Sequence, residues 1–89
     1  MADDLPKIDF STFLLSLSTT ALMQLGAVPN PETGEKLEPD LAFARQTIDT
    51  LEMLRDKTAG NLDDEERKLF DSLLYELRMK YVEREKSAG

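Results

Sequence analysis

Phe10, Phe13, Leu14, Leu17, Ala21 and Leu25 recur three and four residues apart, the spacing of one helix face. Leu15 and Leu22 lie seven apart, round the side of that face. Together these apolar positions cover about 200° of the helical wheel, against 100° or so for an ordinary surface helix. The remaining arc carries Thr12, Ser16, Thr19 and Thr20, and no charged residue occurs between Asp9 and Glu32. Asp9 or Ser11 can cap this helix, and Gly26 suits a left-handed residue just past its last turn. A helix with so wide an apolar arc needs cover on more than one side.

The next stretch, residues 27–39, reads as a loop. Each proline removes a backbone donor and holds the preceding residue extended. Asn30-Pro31-Glu32-Thr33-Gly34 reads as a tight turn, with Val28 and Leu37 tucking back on either side. The loop is a structural strap or a binding loop. Leu41, Ala44, Ile48 and Leu51, widened by Phe43 and Leu54, predict a second helix starting near Pro39 and ended by Gly60. The link Asn61-Leu62 is so short that a third helix must fold back antiparallel. Asp63 and Glu66 have capping-box spacing at its start, and Leu69, Phe70, Leu73, Leu74, Leu77 and Tyr81 form its inward stripe.

The fold predicted is all-α: a single three-helix domain over residues 1–89, with helices near 10–25, 40–59 and 63–84. Helices 2 and 3 form an antiparallel hairpin, and helix 1 lies across or beside it. The ordered core is about 9–84, with loose ends at 1–8 and 85–89.

Composition narrows how such a fold is stabilised. A chain of 89 residues buries a marginal core on its own. It has no cysteine and no histidine, so disulfides, thiolate metal sites and the commonest general base are all absent. Homo-oligomerisation, as a dimer or higher oligomer, is the remaining way to complete the core. The net charge of −7 disfavours nucleic acid as a partner and serves solubility. The start Met-Ala-Asp-Asp-Leu-Pro-Lys lacks the basic residues that open a signal peptide. A membrane span is disfavoured by the Ser and Thr residues through helix 1 and by Pro29 and Pro31 behind it.

Candidate chemistry is sparse. Asp63-Asp64-Glu65-Glu66 lacks the alternation and central glycine of a calcium loop, and sits where a helix start favours negative charge. Thr33-Gly34-Glu35-Lys36 matches only a fragment of a phosphate-binding loop, with no strand before it. The helix 1 hydroxyls have no histidine to activate them. No catalytic residue, cofactor or metal is expected, and the protein is read as a non-enzyme.

Two groups of residues are candidates for an interface. Leu15 and Leu22 are expected between subunits, while Phe10, Phe13, Leu14, Leu17 and Leu25 pack on helices 2 and 3. Ser18, like Ser11, is expected between the two stripes, its hydroxyl bonded to a backbone carbonyl one turn earlier. The second group is Tyr75, Met79 and Val82, at i, i+4 and i+7 on helix 3 and roughly opposite its inward stripe.

Longer stretches carry a resemblance. Phe-Leu-Leu-Ser-Leu-Ser-Thr-Thr-Ala-Leu (13–22), Leu-Gly-Ala-Val-Pro-Asn-Pro-Glu-Thr-Gly (25–34), Arg-Gln-Thr-Ile-Asp-Thr-Leu-Glu-Met-Leu (45–54), Lys-Thr-Ala-Gly-Asn-Leu (57–62) and Leu-Leu-Tyr-Glu-Leu-Arg-Met-Lys-Tyr-Val (73–82) resemble a small bacterial family catalogued as a domain of unknown function, number eighteen forty-four. The resemblance implies a small bacterial, cytoplasmic, helical protein and brings no catalytic residue with it. The function expected is that of a non-enzymatic interaction protein, partnered by itself and by a further, unidentified protein. The alternative is a peripheral membrane or lipid-binding protein that uses helix 1.

Overall fold

The computed structural model describes residues 8–30, 32–35 and 38–88. It contains α1 (Phe10–Gln24), α2 (Leu41–Lys57) and α3 (Asp64–Ala88), with no strand among the described residues. Each helix packs on both of the others. The expected loose lead falls on residues outside those described, apart from Ile8.

The helix ends follow from local hydrogen bonding. Asp9 caps α1 by accepting from the Thr12 N–H at 2.7 Å. At the other end Gly26 donates to the Met23 carbonyl and Ala27 to the Leu22 carbonyl, both at 2.9 Å. That paired closure requires the left-handed backbone seen at Gly26, where φ is +70°. Helix α2 begins at Leu41, two residues past Pro39, because the Asp40 carboxylate accepts from the Phe43 N–H at 3.1 Å and so takes the capping position. The capping box of α3 is present: Glu66 N–H donates to Asp63 at 2.8 Å, and Asp63 N–H donates back to Glu66 at 3.0 Å. Helix α3 runs to Ala88, one turn beyond its expected end, since Glu85, Lys86 and Ser87 contain no helix breaker.

Four contacts fix how α1 sits on the hairpin. Phe10 meets Phe70 with ring centroids 5.9 Å apart. Past the far end of α1, the Gly26 carbonyl accepts from Arg84 at 3.1 Å. Helix α1 therefore runs beside α3 in the same direction. It is antiparallel to α2, because the Gln24 amide oxygen accepts from the Thr47 hydroxyl at 2.7 Å and the Gln24 carbonyl from the Asp40 N–H at 2.6 Å.

The core lies where the three stripes converge: Leu14, Ala21 and Leu25 against Ala44, Ile48 and Leu51, and against Phe70, Leu74 and Leu77. Each fully buried leucine is worth about 1.5–3 kcal/mol. Phe10, Leu17, Leu22, Leu54, Leu69, Leu73 and Tyr81 pack around this centre, partly buried. Phe13 and Phe43 depart from the expected packing and are 44% and 57% exposed. Phe10 occupies the place beside Phe70, and the exposed Phe13 ring lies 6.4 Å from that of Phe10, tilted by 44°.

In the loop, Gly34 N–H donates to the Asn30 carbonyl at 2.7 Å and Asn30 N–H to the Glu35 carbonyl at 2.8 Å, which forms the expected turn. Val28 is half-buried, and Leu37 lies outside the described residues.

Candidate functional site

The expected site residues separate into those used by the chain's own core and those left on the surface. Ser18 belongs to the first group. It follows Leu14 by four residues and precedes Ala21 by three, so it lies on the buried line of α1 and is only 3% exposed. Its hydroxyl does not make the expected bond to a carbonyl one turn earlier: the Oγ is buried without a partner. Leu22 is also drawn inward. It occupies the position in the α1 terminus whose carbonyl accepts from Ala27, and both residues pack against the core.

Leu15 remains half exposed, at 49%. It borders an outer face of α1 on which Thr12, Phe13, Ser16 and Thr19 are all exposed and no side chain is charged. The Thr19 hydroxyl donates to the Leu15 carbonyl at 2.9 Å, and that of Thr20 to the Ser16 carbonyl at 3.2 Å. Both hydroxyl protons are thus satisfied within the helix, and covering this face with protein would leave neither donor unpaired. The sequence pattern identified Leu15 but placed Phe13 inside; the uncharged run was the available signal for the whole face.

Tyr75, Met79 and Val82 are 66%, 47% and 41% exposed, in one row on α3. Beside Val82 a shallow groove of about 380 Å³ opens between α2 and α3, with Tyr81, Glu52, Asp49 and Glu85 among its walls. Ion pairs cross from α2 to α3 nearby: Arg78 Nε donates to Glu52 at 3.0 Å, and Arg55 Nε to Asp71 at 2.8 Å. On α2 itself Arg45 pairs with Asp49 at 3.4 Å, and its guanidinium lies 5.8 Å from the centre of the Tyr81 ring. These pairs are exposed and contribute orientation more than stability. The bond from Arg55 holds the Asp71 carboxyl below its ordinary value of 3.8, and the Thr12 backbone N–H does the same for Asp9.

Residues 7–83 match the model of a family described as Domain of unknown function (DUF1844). The chain belongs to this family. No curated protein and no solved structure matches the sequence. Membership in DUF1844 therefore agrees with the resemblance seen in the sequence and assigns no activity.

Other geometry bears on the alternatives. Among the described residues, no group of acidic side chains is arranged to hold a metal ion. No described helix is long and apolar enough to cross a membrane.

Proposed function

We propose that this DUF1844 chain is a non-catalytic protein-interaction module that associates with itself through the outer face of α1. The observation that carries this is the uncharged face bearing Phe13 and Leu15 on a chain of net charge −7. A two-fold contact sets each surface against its own copy, so like charges meet near the axis. Two such acidic chains repel least where neither presents a charge. With Leu22 and Ser18 used by the core, the contact centres on Leu15, Phe13, Ser16 and Thr19, and Thr19 and Thr20 need no new hydrogen-bond partner. The absence of histidine and cysteine favours a non-catalytic role. So does the cause of the shifts at Asp9 and Asp71, which is a helix cap and an ion pair rather than burial. The missing cysteines and the family resemblance favour the bacterial cytoplasm.

A lipid-binding role has less support. The most apolar stripe of α1, through Leu14, Ala21 and Leu25, is buried against α2 and α3. The outer face lacks the Lys/Arg rim of surface-seeking helices.

Sedimentation over a concentration series tests the proposal. The wild type should be a dimer or higher oligomer, and Thr19→Glu should be a monomer of unchanged helicity. A wild type that stays monomeric at high concentration would overturn self-association.

A further inference from the structure

The row Tyr75–Met79–Val82 lies on a different side of the molecule from α1, and its surroundings are different too. Glu76 and Glu83 flank it on one side, Asp71, Arg78 and Glu85 on the other, and Asp49 and Glu52 face it across the groove. The nearby arginines are already engaged: Arg78 with Glu52, Arg55 with Asp71 and Arg45 with Asp49. Glu76, Glu83 and Glu85 form no ion pair with any described residue. Lys86 continues the row one turn on, and Lys68 lies two turns before Tyr75.

We infer that this row and the adjoining groove dock a basic amphipathic helix of another protein. The three apolar side chains span two helical turns, about 10 Å. That length fits two turns of a partner helix with apolar residues at i, i+3 or i+4, and i+7. Lysines or arginines bordering that partner stripe meet Glu76 and Glu83 on one side and Glu85 on the other. The field of a chain with net charge −7 draws such a segment in. A second copy fits poorly here, because an antiparallel two-fold contact about Met79 sets Glu76 of each copy against Glu83 of the other. The inference goes beyond the proposed self-association to a second, different partner, and it uses a surface independent of α1.

The test titrates the full chain into a labelled synthetic helix built of leucine and lysine, read by fluorescence anisotropy. Binding is expected at low salt and should weaken as salt rises. A control helix with glutamate in place of lysine should not bind. Tyr75→Ser with Met79→Ser should weaken binding by about tenfold or more, as loss of apolar anchors does. Glu76→Gln with Glu83→Gln and Glu85→Gln should also weaken it. Phe43→Ser, which removes an exposed aromatic side chain elsewhere on α2, should leave it unchanged. Equal losses at Phe43 and at the row, or no loss at the row, would show general attraction to an acidic surface and overturn the inference. A dimer that becomes monomeric on Tyr75→Ser with Met79→Ser would instead assign the row to self-contact. Circular dichroism of each variant verifies the fold. Because Thr19→Glu reads the α1 face alone, failure of one proposal is distinguishable from failure of the other.

Discussion

The guanidinium of Arg84 donates to the backbone carbonyl of Gly26 at 3.1 Å across fifty-eight residues of sequence. It joins the last turns of α3 to the end of α1, at the residue whose left-handed backbone closes that helix. Two substitutions measure what this junction contributes. Gly26→Ala places a Cβ on a backbone of φ +70° and should cost about 1–2 kcal/mol. Arg84→Ala leaves the part-buried carbonyl without its donor and should cost about 1–2 kcal/mol, with Arg84→Lys recovering some of it. Urea denaturation gives both values, and an Arg84→Ala protein as stable as wild type would show that water replaces the guanidinium.

Ser18 offers a substitution of opposite sign. Its hydroxyl is buried in the core with no partner, a state that costs about 1–3 kcal/mol relative to a bonded one. Alanine removes the oxygen and keeps the small volume that lets the helices approach. Ser18→Ala should therefore raise stability by about 1 kcal/mol in thermal or urea unfolding. A loss of stability would mean that the hydroxyl has a partner after all.

Acid should weaken the fold through two identified carboxylates. Asp9 is held below the ordinary aspartate value of 3.8 by the Thr12 N–H, and Asp71 by Arg55. A carboxylate depressed in the folded state lends stability that is present above the unfolded value and is lost as pH falls through the lower folded value. The loss from this pair therefore falls below about pH 3.8. Asp9→Asn keeps a capping oxygen that does not titrate. Together with Asp71→Asn it should flatten the acid limb of a plot of melting temperature against pH. A limb as steep as that of the wild type would assign the acid loss to other groups.

The order of helices, the capping box at Asp63 and the stripes through Leu14, Ile48 and Phe70 were all legible in the sequence. Helical spacing and capping chemistry are local properties, and both can be read from a few consecutive residues. What was not legible is which edge of a wide stripe turns inward. Phe13 and Phe10 fit the same face of α1, and only the position of Phe70 decides which ring is covered. Ser18 lies on the wheel between the stripe of Leu14 and that of Leu15 and Leu22, and its burial shows that the covered arc extends past it. Leu22 packs against the core together with Ala27, whose N–H donates to the Leu22 carbonyl, a contact between residues on either side of the helix end. The row at Tyr75, Met79 and Val82 was visible as a pattern, and its exposure depended on α1 and α2 both packing on the other side of α3.

Leu15 and Leu22 differ by two turns in sequence, and replacing each with glutamate should give opposite outcomes. Leu22 packs against the core, and its carbonyl takes part in closing α1. A carboxylate there is carried toward Leu25 and the apolar centre, where an unpaired charge is strongly disfavoured. Leu22→Glu should therefore lower stability by several kcal/mol, about the scale of core disruption, and reduce helicity. Leu15 is half exposed, so its replacement can point to water. Leu15→Glu should keep the circular dichroism of the wild type and shift an oligomer to monomer in sedimentation, because it puts a negative charge on the face proposed to meet its own copy. If Leu15→Glu leaves the oligomer intact, the self-contact lies elsewhere. If Leu22→Glu folds as well as wild type, the packing assigned to the end of α1 is wrong.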